Sequence, residues 1–174
     1  MKSYGGEHPH APNEGATCEW WTPPEVFEAI GLRFDLDPCA PELPAADWLP
    51  VERRYSLPED GLTLPWSGRV FLNPPYGGEA GKWMERLADH GHGIALVFSR
   101  TDVKWWHAAV PSATAVCFIR GRLTFIAGAG QSAPGNSGGP SALIAYGEDC
   151  AQAIADSGLG LTYFTDKRPV GEGG

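Results

Sequence analysis

Basic residues are scarce in this 174-residue chain. Lys and Arg total 13 against 21 Asp and Glu, for a net charge of −8. That balance argues mildly against a protein dedicated to gripping nucleic acid, because phosphate contacts normally come from Lys and Arg. Binding to DNA would have to rest on a local cluster, weak and sensitive to salt. Arg53, Arg54, Arg100, Lys104, Arg120 and Arg122 are the candidates for such a rim, and they read equally well as scattered solvated surface. No apolar run approaches the length of a membrane span, and no charged-then-apolar leader opens the chain, so no membrane role is expected. The four cysteines (Cys18, Cys39, Cys117 and Cys150) lack metal-ligand spacing and suggest no disulfide framework. Reduced thiols in a cytoplasm are the expectation. His8 and His10 have no Cys or His partners at ligand spacing, so no metal is expected either. No internal repeat stands out.

What is present is enough for one core. At 43% hydrophobic residues with seven tryptophans, a chain of this length favours a single domain. Apolar runs predict strands at 34–36, 69–72, 93–98, 113–119 and 159–164. Leu123–Ile126 and Ser141–Tyr146 bracket a long loop and are candidates to pair. Helical spacing is found at 81–90, through Trp83, Met84 and Leu87. Further helices are predicted at 104–109, capped by Asp102 and ended by Pro111, and at 151–155. Alternating strands and helices predict an α/β fold: a mostly parallel central sheet with helices on both faces, in one compact domain over residues 17–165. Residues 1–16 and 166–174 are expected to be mobile tails. The segment from Ala127 to Pro140 has almost no apolar anchor and reads either as a DNA-engaging loop or as a variable surface loop.

The most informative residues are Asn73-Pro74-Pro75-Tyr76. They follow the apolar run Val70-Phe71-Leu72 and precede Gly77-Gly78. Two prolines remove two donors and fix two φ angles, leaving carbonyl acceptors on a stiff platform beside an aromatic ring. Upstream, Trp20-Trp21-Thr22-Pro23-Pro24-Glu25 reads as a helix start, with Thr22 as N-cap, Pro23 at the first helical position and Glu25 completing a capping box. Gly31 is placed to end that helix. Phe34-Asp35-Leu36-Asp37-Pro38-Cys39-Ala40 reads as a short strand ending in an acid, or as an Asp-Pro turn. Ligands of open α/β sheets bind at carboxyl strand ends. Asp60-Gly61-Leu62 is equally a good turn.

Taken in order, these segments resemble the phage-type (Dam-like) DNA N6-adenine methyltransferases with an Asn-Pro-Pro-Tyr motif, over roughly residues 18–146. The resemblance implies a Rossmann-like methyltransferase fold and S-adenosyl-L-methionine as cofactor. It places the cofactor against Trp21, Thr22, Pro23, Asp37, Pro38, Cys39, Ala40, Asp60 and Asn73, with Asp37 on the ammonium of the methionine part. One departure is plain: Ala40-Pro41 stand where the family carries a Gly-x-Gly. The implied catalytic set is Asn73, Pro74, Pro75 and Tyr76, and the implied partner is double-stranded DNA with its target adenine flipped out. Asn73 and the Pro74 carbonyl would accept the two N6 protons, and Tyr76 would stack on the base. Arg100 and Arg122 are candidate DNA contacts. Phe125 is a second candidate stacking face, with a place in the core as its alternative. A bacterial cytoplasm, with a phage or prophage origin, is the implied setting. The oligomeric state, monomer or dimer, stays open. Enzymes with this motif also act on cytosine N4, RNA adenine and protein glutamine, and a degenerate nucleic-acid-binding protein of the same fold is a further alternative.

Overall fold

Gly93–Phe98 is six residues of nearly unbroken apolar side chains, and it forms β5, the strand about which the sheet is organised. In the computed structural model, residues 20–75, 77–127 and 139–165 are described. The expected tails, Tyr76 and most of the 127–140 segment lie outside them. The remaining elements are β1 (Trp20–Trp21), α1 (Pro24–Ile30), β2 (Phe34–Asp37), β3 (Val51–Arg54), β4 (Val70–Leu72) and α2 (Ala80–His90). After β5 come α3 (Lys104–Ala109) with a 3-10 turn (Val110–Ser112), β6 (Ala115–Ile119), β7 (Ile126–Ala127), β8 (Ser141–Tyr146), α4 (Glu148–Asp156) and β9 (Gly160–Phe164).

Seven strands form one sheet in the order β3-β2-β4-β5-β8-β6-β9. From β3 to β5 all pairings are parallel. From β5 to β9 all are antiparallel. The sheet is therefore mixed, which corrects the expectation of a mostly parallel one. The cause is β8, which inserts between β5 and β6 and runs against both. All six of its residues are buried, so its apolar run carries no sign of strand direction. The expected pairing of 123–126 with 141–146 does not form either. Ile126 pairs instead with Trp21 in a separate two-stranded ribbon, β1-β7.

Helices cover both faces. Val26, Phe27 and Ile30 of α1 and Cys150, Ala151 and Ile154 of α4 pack on Phe34, Phe71, Leu96 and Leu143. Trp83, Met84 and Leu87 of α2 and Trp106 and Ala109 of α3 pack on Leu72, Ala95, Val97 and Ile144 on the other side. Each fully buried Val, Leu, Ile, Phe or Met among them contributes about 1.5–3 kcal/mol.

Two expected caps are replaced. The N-cap of α1 is Pro23, extended at φ −70° and ψ 148°, with Pro24 at the first helical position and no side-chain capping bond. Thr22 lies one residue outside the helix, where its hydroxyl cannot reach the first-turn amides. The N-cap of α3 is Val103. The Asp102 carboxylate instead accepts from Arg100 Nε at 3.2 Å. Gly31 does end α1, in the left-handed region at φ 68°, with its N–H donated to Phe27 O.

The chain order sets up the site. From β2 the chain moves outward to β3, then returns to place β4 on the opposite side of β2. The sheet order thus reverses direction between β2 and β4. A crevice opens outside the carboxyl ends of strands at such a point.

Candidate active site at the carboxyl edge of the sheet

Asp37 is the last residue of β2 and Asn73 the first after β4, so the two flank this switch point. Asp37 is 3% exposed. Its carboxylate accepts the backbone N–H of Cys39 at 3.0 Å. Burial pushes its pKa up to about 7, against the lowering effects of the Cys39 hydrogen bond and the Arg54 charge. Arg54 sits opposite Asp37 in the β2-β3 register but spends its guanidinium on the carbonyls of Ala45 and Ala46, at 3.2 and 2.8 Å. It is a clamp for the 41–50 loop, not part of a basic rim. Burial thus disfavours the charged form of Asp37, and no ion pair to its carboxylate is formed among the described residues.

The Pro38-Cys39-Ala40 turn is held from several sides. The Ala40 N–H donates to Tyr55 O, and the Tyr55 N–H donates to Asp37 O, each at 3.0 Å. The Cys39 thiol donates to Asn73 O at 3.2 Å, which ties the end of β2 to the end of β4. Burial and the neighbouring Asp37 raise the pKa of that thiol well above its ordinary value, so it stays protonated and serves as a donor. Asp60 is exposed and accepts the Leu62 N–H at 3.0 Å, forming the expected turn. Its neighbour Gly61 is pressed so closely on this region that an added Cβ would lie 1.8 Å from Pro38 O.

Asn73 is oriented by β1. Its Nδ2 donates to Trp20 O at 2.8 Å. The reverse amide orientation would set two carbonyl oxygens against each other, which fixes which end is which. Pro74 is buried and Pro75 exposed. Tyr76 lies outside the described residues. The Trp48 indole donates to Thr22 O at 3.1 Å, and its ring lies 6.1 Å from that of Trp21. Trp21, Thr22 and Pro23 are thereby anchored beside Asn73.

Further along the edge, Phe125 is 4% exposed and meets Phe98 edge-on, with ring centroids 6.4 Å apart. It occupies the core. Arg100 is exposed and held by Asp102, and Arg122 is exposed on the connection after β6. Neither is brought next to Asp37 by any contact among the described residues.

The buried side-chain polar atoms without a hydrogen-bond partner, among the described residues, are Trp21 Nε1, Thr22 Oγ1, Ser99 Oγ and Ser141 Oγ. All four belong to residues at the carboxyl edge of the sheet or to the β1 ribbon packed over it. A buried polar group left unpaired costs about 1–3 kcal/mol. Short polar residues at strand ends were the only signal in the sequence.

A buried acid and an anchored amide thus meet at the switch point of a mixed α/β sheet. The profile of the DNA N-6-adenine-methyltransferase (Dam) family matches residues 11–154. The chain belongs to this family, which implies methylation of adenine N6 in DNA. No curated protein and no solved structure matches the chain. No helix among the described residues is long and apolar enough to cross a membrane.

Proposed function

We propose that this protein is a site-specific, S-adenosylmethionine-dependent DNA methyltransferase acting on N6 of an adenine flipped out of the duplex. The observation that carries the reading is the meeting of Asp37 and Asn73 at the switch point, joined through Cys39, whose N–H donates to the Asp37 carboxylate and whose thiol donates to Asn73 O.

The residues at this edge fit the cofactor. Asp37 offers a desolvated carboxylate to an ammonium, and the Trp21 indole N–H and Thr22 hydroxyl offer unpaired groups to its polar parts. Pro23, Pro38, Cys39, Ala40 and Asp60 complete the candidate wall. S-adenosylmethionine would supply an electrophilic methyl group, its S–C bond breaking to leave a neutral thioether as the N–C bond forms.

The chain's own contribution is to the amine. The N6 lone pair is delocalised into the ring, which makes it a poor nucleophile. With its Nδ2 held by Trp20, Asn73 directs its Oδ1 as an acceptor for one N6 proton, and the Pro74 carbonyl serves for the other. Two acceptors favour a tetrahedral nitrogen and the positive charge that develops there. Pro75 fixes the loop, and the Tyr76 ring stacks on the extruded base and aligns it. The excess proton leaves to solvent once nitrogen is methylated, so no general base is needed. Arg100 and Arg122 are proposed phosphate contacts, with Asp102 exchanged for phosphate at Arg100.

The test is incubation with methyl-labelled cofactor and DNA, RNA or protein, followed by nucleoside mass spectrometry. N6-methyladenine in DNA is expected. N4-methylcytosine, or label only in RNA or protein, would refute the reading.

A further inference from the structure

β9 is the last strand of the sheet, and among the described residues it pairs only with β6. Its residues Gly160-Leu161-Thr162-Tyr163-Phe164 carry no charge and no proline, and their register with β6 is unbroken by a bulge. Edge strands are ordinarily shielded by such devices, because their unpaired backbone groups invite another strand. The pairing with β6 shows which groups are open. Leu159 O accepts the Arg120 N–H, and the Thr165 N–H donates to Thr114 O. Alternation in an antiparallel ladder then turns the backbone groups of Gly160, Thr162 and Phe164 outward.

The side chains beside this open edge are apolar. Leu161 stands opposite Phe118 and Tyr163 opposite Val116. Val116 packs in the α2-α3 layer, so all four share that face of the sheet. Trp106 of α3 lies 6.3 Å from the Phe118 ring, and Phe118 meets Tyr163 edge-on at 6.2 Å. An aromatic row thus runs from the core to the edge, where Leu161 is 62% and Tyr163 60% exposed. Phe164, on the other face, is 54% exposed. The rest of the chain offers little to cover them. Outside the described residues its large apolar side chains are Met1, Tyr4, Tyr76 and Val170, scattered singly.

We propose that β9 is a homodimer interface: a second copy lays its own β9 antiparallel to this one, about a two-fold axis at Thr162, and continues the sheet. In that register Thr162 faces Thr162 and Gly160 faces Phe164, so every outward backbone group is exchanged in a hydrogen-bonded pair. Leu161 of each copy falls opposite Tyr163 of the other, a close pair of aliphatic on aromatic. Gly160 leaves room for the Phe164 ring across from it. No like charges meet along the strand pair, and one surface serves both copies, as a two-fold interface requires. At about 150–250 Å² for a fully exposed aromatic side chain, Phe118, Tyr163 and Phe164 together with Leu161 supply on the order of 400 Å² per copy. With the strand backbone the total reaches about 1,000 Å², the lower end for a specific complex, so association depends on concentration. The axis reverses every strand of the second copy, so the two edges bearing Asp37 and Asn73 point in opposite directions. Each copy keeps a whole candidate site, and the interface does not rest on the methyltransferase reading.

The test is sedimentation equilibrium of the full chain. From about 1 to about 100 µM the wild type should move from the mass of one chain toward that of two. Leu161→Lys/Tyr163→Lys sets like charges opposite one another and should weaken self-association more than about a hundredfold, and Leu161→Glu/Tyr163→Glu should do the same. Both positions are exposed in the single chain, so the fold is kept. An equimolar mixture of the two variants sets each lysine opposite a glutamate and should dimerise within about tenfold of the wild type, which also shows that both are folded. A wild type with the mass of one chain at every concentration would overturn the assignment and leave the apolar row to a different protein. A dimer that persists in either charged variant would overturn it by placing the contact on another surface. Two monomeric variants that do not associate when mixed would refute the two-fold register.

Discussion

Asp37→Asn should make the protein more stable at pH 8 and unable to bind its cofactor well. In the folded protein the Asp37 carboxyl has a pKa of about 7, against an ordinary 3.8, because burial outweighs the Cys39 hydrogen bond and the Arg54 charge. The folded state therefore holds the proton more tightly than the unfolded chain. That contribution to stability is fully present below pH 3.8 and is lost as pH rises to about 7. Roughly 3 pH units at 1.36 kcal/mol each give about 4 kcal/mol as an upper bound for the cost of the buried charge at pH 8. Asn keeps the acceptor for the Cys39 N–H and carries no charge. Urea unfolding at pH 4, 6 and 8 should show the two proteins nearly equal at pH 4, with the variant ahead by about 2–4 kcal/mol at pH 8. Calorimetry at pH 8 should show S-adenosylmethionine binding weakened by about a hundredfold, from loss of the ammonium's charged partner. In the wild type, affinity should fall as pH drops below 7, and binding should release a proton. A stability difference that does not change with pH would refute the reasoning, because it would mean the carboxylate is already satisfied. Unchanged affinity would remove Asp37 from the cofactor site.

Other outcomes follow from the same geometry. Asn73→Ala should lower the methylation rate roughly a hundredfold with little change in cofactor affinity by calorimetry, since it removes an acceptor aimed at the amine; near-normal turnover of the folded variant would refute its role. Tyr76→Phe should keep most activity and Tyr76→Ala lose most, with the Ala defect smaller on a mispaired or single-stranded adenine, as measured by initial rates on the three substrates. Gly61→Ala should destabilise the fold by more than about 2 kcal/mol in urea titration, because its Cβ would meet a backbone carbonyl that cannot yield. In urea titration Asp149→Asn should cost at most about 1 kcal/mol at pH 7, and progressively less as pH falls below the ordinary carboxyl value of 3.8. Burial opposes ionisation there, but hydrogen bonds from Arg69 and His92 win and hold the carboxyl well below its ordinary range, so its contribution is lost as pH falls.

Much of the fold was legible because buried strands and amphipathic helices write their burial into composition. Gly93–Phe98 and the Trp83, Met84, Leu87 face of α2 are of this kind. Strand direction is not written there. Ser141–Tyr146 would read the same parallel or antiparallel, and only the neighbours on either side decide. β3 was missed because Val51-Glu52-Arg53-Arg54 is an edge strand with two exposed charged residues and a clamp arginine, so no apolar period marks it. Thr22 was legible as polar but not as unpaired, since that depends on Pro23 taking the cap.

The missing glycine motif after Asp37 is the clearest case of a local rule met from elsewhere in the chain. A glycine in such a loop lets backbone approach backbone closely and adopt turns closed to other residues. Here Pro38-Cys39-Ala40 has no glycine, and the turn is instead held by the Asp37 carboxylate on Cys39 N–H and by Tyr55 on both sides. The close approach still occurs, but the glycine that permits it is Gly61, 23 positions after Pro38 and against its carbonyl. Asp60-Gly61 thus packs against the Pro38-Cys39-Ala40 loop through the glycine, while the exposed Asp60 carboxylate closes its own turn. The absence of Gly-x-Gly therefore does not argue for a degenerate fold. It moves the requirement for a small residue from the strand-end loop to the segment packed on it, which is why Gly61, and not Ala40, is the position where a methyl group should be least tolerated.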